Sequence, residues 1–124
     1  TESRCATFSE AGGKTNFALS LMTDASKMSE ARPTVILFDT SASQFGDVRQ
    51  DGLEVLNYTV KSLPADSQVS VMACDVNTVD LSQGLHSPTS DAIKTAIDKL
   101  QARVPLGTTN LPQALRQASK LLPK

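Results

Sequence analysis

Apolar and polar positions change rhythm along this chain near Thr34. Before it the residues are mostly polar and small, and one stretch alternates. Phe17, Leu19 and Leu21 share a face at period two, which predicts a short strand over 16–22. Residues 25–33 read as a connector. From Thr34 onward, Val35-Ile36-Leu37-Phe38 is a continuous apolar run ending on Asp39, the pattern of a strand buried on both faces. Leu53, Leu56, Val60 and Leu63 then recur at helical spacing, with Val48 upstream and Pro64 as a stop. Gly52 lies inside that helix and weakens it by about 1 kcal/mol relative to alanine. A second apolar run over 69–74 also ends on an aspartate, Asp75, and 78–81 predicts a hairpin edge strand. Ser87 as N-cap and Pro88 at the first helical position open a helix with Ile93, Ala96, Ile97, Leu100 and Val104 as its buried stripe. Asn110 caps the last helix, with Gln113 three residues on, and Leu111, Ala114, Leu115, Ala118 and Leu122 face inward. Strands alternating with helices predict an α/β domain over 34–124 with a partly parallel sheet. An N-terminal extension, 1–33, precedes it.

Composition narrows the function classes. A chain of 124 residues has the length of one domain with one core. Twelve Lys and Arg stand against 13 Asp and Glu, so no net field draws the chain to nucleic acid or anionic lipid. Aromatics are 4% with no Trp, which argues against a base-stacking platform. No apolar run approaches the length of about 20 residues that a membrane span needs. Cys74 falls in an apolar run and reads as a buried free thiol, while Cys5 lies in a polar stretch. Neither belongs to a CxxC, so the cysteines leave the redox state and the compartment open: cell envelope, extracellular and cytoplasmic all remain.

Several segments touch on known chemistry and fall short of it. Gly12-Gly13-Lys14-Thr15 ends like a phosphate-binding loop, but Phe8 stands where the first glycine belongs and no buried strand precedes it, so it reads as a solvated turn. Phe38-Asp39-Thr40-Ser41 resembles the active-site turn of a dimeric retroviral-type aspartic protease. Ser41 replaces the glycine of that turn, and a helical pattern follows where such near-all-β proteases have a strand. His86 is the sole histidine and there is no Gly-x-Ser-x-Gly elbow, which leaves serine nucleophiles and zinc sites without partners. What remains is Asp39-Thr40-Ser41-Ala42-Ser43 at the carboxyl end of the first buried strand. Asp39, Ser41 and Ser43 can aim oxygens at one point there, a hard and weakly charged set that suits Mg²⁺, with Ca²⁺ or Mn²⁺ as alternatives. The same residues could equally serve as caps of the next helix.

Gly107-Thr108-Thr109-Asn110 sits at a second helix start. Together with the 35–43 segment it resembles the von Willebrand factor type A domain and its metal-ion-dependent adhesion site. That family's strand ends in Asp-x-Ser-x-Ser and is followed later by a threonine turn. The resemblance covers 34–124 and implies a Rossmann-like, mostly parallel sheet flanked by helices. It implies metal ligation by Asp39, Ser41, Ser43 and Thr109, with Thr108 as the alternative register. It also implies a non-catalytic, cation-dependent adhesion-type role, in which a partner protein offers a carboxylate to the metal. The family's later aspartate lies on a strand beyond the last helix, and this chain stops at Lys124. The C-terminal strands are therefore expected to be missing, and the strand at Val35 to be an open apolar edge. The strand over 16–22, or a partner chain, is expected to cover that edge. Asp75 reads either as a carboxylate behind the site or as an ordinary hairpin-turn residue. A structural assembly module with weak or no metal binding is the other function this sequence allows.

Overall fold

The computed structural model describes residues 4–9, 12–13, 15–20 and 31–123, with Leu19 described in its backbone only. Two separately compact units emerge, Thr1–Glu30 and Ala31–Lys124. In the first, β1 (Arg4–Ser9) and β2 (Thr15–Ser20) form an antiparallel hairpin with register Arg4↔Ser20 to Ser9↔Thr15. Gly12 and Gly13, both at positive φ, lie between the two strands in the hairpin's turn and open no helix. Phe17 is exposed. The far end of the predicted strand, residues 21 and 22, lies outside the described residues, as does the connector up to residue 30.

In the second unit, β3 (Thr34–Asp39) pairs parallel with β4 (Val69–Cys74), and β4 pairs antiparallel with β5 (Thr78–Asp80). The sheet is mixed, in the order β3-β4-β5. Three helices accompany it: α1 (Asp47–Ser62), α2 (Asp91–Ala102) and α3 (Leu111–Leu121). This is a helix-flanked α/β unit, incompatible with the near-all-β protease fold.

Alternation along β4 sorts the core. Val69, Val71 and Ala73 meet Leu56 and Val60 of α1 and Ile93, Ala96 and Leu100 of α2, with Ile36, Phe38 and Leu53 packed at the margin. Gly52 has a reason for its place in α1. A Cβ there would stand 3.2 Å from Phe38 Cζ, so the missing side chain lets the helix settle onto that ring. Helix α3 contacts β3, β4 and β5, with Ala114 and Ala118 buried.

Three expectations need correction. Within the first unit β2 pairs with β1, and within the second, among the described residues, β3 has β4 alone beside it. For the same reason β3 is only half-buried, not enclosed on both faces. Helix α2 starts at Asp91 and is capped by Ser90, whose hydroxyl accepts from the Ile93 N–H; Ser87 instead closes a turn, its carbonyl accepting from the Ser90 N–H. Finally, Val104, Leu111, Leu115 and Leu122 are exposed. Val104 lies beyond the helix's C-cap, Arg103, and α3 approaches a three-stranded sheet through its alanines, leaving too little width beneath it to cover its leucines.

Candidate metal centre

Parallel pairing brings the carboxyl ends of β3 and β4 together, so Asp39 lies opposite Cys74 and next to the turn begun by Asp75. The chain leaves β3 in a bend before α1, and the 105–110 segment is stitched to that bend. Leu106 N–H donates to the Thr40 carbonyl at 3.0 Å, and Ala42 N–H donates to the Gly107 carbonyl at 2.9 Å. Gly107 can occupy this position because it has no side chain: at φ 68, an added Cβ would lie 2.5 Å from Val76 Cγ2.

This stitching brings the four expected ligands together. Asp39 Oδ1 accepts from the Ser41 N–H and from the Thr109 hydroxyl, both at 2.8 Å. The hydroxyls of Ser41 and Ser43 are 3.1 Å apart. It is Thr109, not Thr108, that reaches Asp39. Burial would raise the Asp39 pKa, but hydrogen bonds from the Ser41 N–H and hydroxyl and from Thr109 outweigh it. The carboxyl is held below the ordinary aspartate value, with the nearby Asp75 charge opposing. Asp39 is therefore an anion at neutral pH.

Asp75 belongs to the support of the site. Its Oδ2 accepts from the Thr40 hydroxyl at 2.9 Å and from Arg103 Nε and Nη2 at 3.1 and 2.7 Å. Its Oδ1 accepts from the Asn77 N–H at 3.1 Å, which shapes the hairpin turn as well. Burial pushes its pKa up, and the bonds from Arg103, Asn77 and Thr40 with the guanidinium charge bring it below the ordinary value. Nearby Cys74 is a buried free thiol whose pKa is raised by burial and then by the two aspartates, so it stays protonated; Cys5 is free and exposed. Arg103 in turn follows directly on α2, whose terminal carbonyls at Leu100 and Arg103 accept from Arg49 Nη2 of α1 at 2.6 and 2.7 Å. Thr40, Arg103 and Arg49 escaped the sequence reading. Only Asp75, at a strand's carboxyl end, hinted at a supporting layer.

The donor set fits a hard divalent cation: one ionised carboxylate and three hydroxyls, at the open end of a sheet, with the neighbouring guanidinium engaged by Asp75. It is not a carboxylate cage, and among the described residues no group of three or more His, Cys, Asp or Glu stands together. Among the described residues, no helix is long and apolar enough to cross a membrane.

No curated protein matches the chain. Residues 33–124, however, match the von Willebrand factor type A domain, a family of protein-interaction modules whose members often bind a metal at such a site. By this match and its mixed, helix-flanked sheet, the chain belongs to the von Willebrand factor type A domain family.

Proposed function

We propose that this domain binds a partner protein through a divalent cation, Mg²⁺ in the first place, held by Asp39, Ser41, Ser43 and Thr109, without catalysing a reaction. The bond from the Thr109 hydroxyl to the Asp39 carboxylate, with the Ser41 and Ser43 hydroxyls paired on the same turn, carries the reading. When bound, the ion supplies an electrophilic centre that accepts a carboxylate from the partner. With one formal negative charge among four donors, the site leaves the ion short of charge neutrality and receptive to an anion. Binding is favoured over catalysis because the one histidine stands at the wrong end of the sheet. His86 bridges to Val69, the first residue of β4, about 16 Å of strand from the site. Calorimetric titration of the chain with Mg²⁺ and with Mn²⁺ should give a binding heat that Asp39→Ala abolishes and Thr109→Ala weakens about tenfold. No heat from the parent chain overturns the reading.

A structural assembly role with little metal binding is the second reading. It is favoured by Asp75, the neighbouring strand-end carboxylate, being committed to Arg103 and Thr40. The same titration separates the two.

A further inference from the structure

Thr40 stands between two expected cation ligands, Asp39 and Ser41, and is itself fully buried. Each of its three hydrogen-bonding groups goes to a different segment. The N–H donates to the carbonyl of Cys74, the last residue of β4, at 2.8 Å. The carbonyl accepts from the Leu106 N–H, in the loop before α3, at 3.0 Å. The hydroxyl donates to Asp75 Oδ2, in the turn after β4, at 2.9 Å, and the same oxygen takes both Arg103 bonds. A peptide unit is planar, so the bonded N–H fixes the plane joining Asp39 to Thr40, and the bonded carbonyl fixes the plane joining Thr40 to Ser41. That second plane carries the Ser41 N–H, which donates to Asp39 Oδ1.

Resting on the cation reading above, we propose that Thr40 is a positioning residue for that site and the end of a relay that starts at Arg103. Arg103 orients Asp75, Asp75 holds the Thr40 hydroxyl, and Thr40 sets the aim of Asp39 and Ser41. Through Leu106 it also registers the loop that carries Thr109. Two observations favour positioning over plain support of the fold. The first is that the hydroxyl is not needed to satisfy its acceptor. Asp75 Oδ2 already has two donors from Arg103, so loss of the Thr40 hydroxyl strands no buried charge. The second is where the pin sits. The expected ligands come from two segments, the end of β3 with its bend and the loop before α3, and Thr40 is bonded to that loop from between two of them. Groups that orient metal ligands from behind typically change metal affinity by about 10–100-fold when removed.

The test uses the full chain and calorimetric titration with Mg²⁺. Thr40→Val keeps the branched shape and removes the hydroxyl; it should weaken binding about tenfold, while Thr40→Ser, which keeps a hydroxyl, should stay within about twofold of the parent. Arg103→Lys keeps the charge but cannot make both bonds to Asp75, so it should also weaken binding, whereas a purely electrostatic role predicts no change. Both residues act through one carboxylate, so the double variant should lose no more than Thr40→Val alone. In the metal-free protein, Thr40→Val should speed amide exchange at Ser41 and Ala42 several-fold relative to Val71 and Met72 of β4. General destabilisation would instead spread over all four. Far-UV circular dichroism matching the parent's establishes folding, and Arg103→Lys, at a side chain 29% exposed, decides the matter if Thr40→Val does not fold. Parent-like Mg²⁺ affinity in either folded variant, or equal losses in Thr40→Val and Thr40→Ser, overturns the positioning role while the cation reading stands. Absence of any Mg²⁺ heat from the parent overturns both.

Discussion

At Asp75 one carboxylate meets a guanidinium, a hydroxyl and a main-chain N–H, and its side chain is 9% exposed against 29% for Arg103. Such a pair is worth more when broken than when made, because removing the anion strands a half-buried cation. Asp75→Asn preserves shape and should lower stability by about 2 kcal/mol at pH 7, read as a shift in urea midpoint. The pH dependence has a fixed sign. The folded pKa lies below the usual aspartate value of 3.8, so the contribution is fully present above that value and fades as pH falls through the folded pKa. Parent and Asp75→Asn should therefore differ at pH 7 and converge as the pH falls below 3.8; a gap that widens in acid would contradict the assignment. Residues of this kind explain what a sequence can and cannot disclose. Asp39, Ser41 and Ser43 are legible because ligands that share one turn must be neighbours in the chain. Arg103 is not, since it reaches Asp75 across 28 positions with no local pattern to announce it.

Elements were legible where burial imposes a period and obscure where it does not. β4 is buried along its whole length and reads as an unbroken apolar run, and α1 repeats its core residues every three to four positions. β1 has neither signal, because Arg4–Ser9 is exposed throughout and is organised by its ladder with β2 instead of by a core. At the start of α2, Ser87-Pro88 looks like a cap and first turn, yet Thr89 and Ser90 still pass before the helix begins at Asp91, and the cap is Ser90. Ser90→Ala should destabilise the domain by about 0.5–1 kcal/mol, the lower part of the range being appropriate to a 3.4 Å cap bond. Ser87→Ala should lie within about 0.5 kcal/mol of the parent. Paired thermal melts distinguish the two serines, and equal losses would put the helix start back at Ser87.

At the scale of the whole molecule, the outer edge of β3 is unpaired among the described residues. Thr34 N–H donates to Gln68 and Thr40 N–H to Cys74, so even-numbered residues turn their main-chain groups toward β4. Successive residues alternate, which directs those of Val35 and Leu37 to the open side. Beside this edge lies a groove of about 260 Å³ lined by Ile36, Phe38, Gly52 and Val55, so an incoming strand would find both a ladder and an apolar wall. An edge of this type pairs with whatever strand is available, and in a purified sample the available strand belongs to a second copy. The weight-average mass from light scattering should then rise with protein concentration. Leu37→Lys should suppress the rise, because a charge on an edge strand opposes pairing. Leu37 is half-buried, so Val35→Pro serves as an independent check: it deletes an outward N–H and no bond to β4. If the mass stays monomeric at every concentration, or if both variants associate as the parent does, the edge does not drive assembly. The cation titration is unaffected by either result, since Asp39 Oδ1, Ser41, Ser43 and Thr109 meet within one protomer. Edge and candidate metal site are thus separable: the first bears on what can join the sheet from the side, the second, on the function proposed above, on what can dock at its carboxyl end.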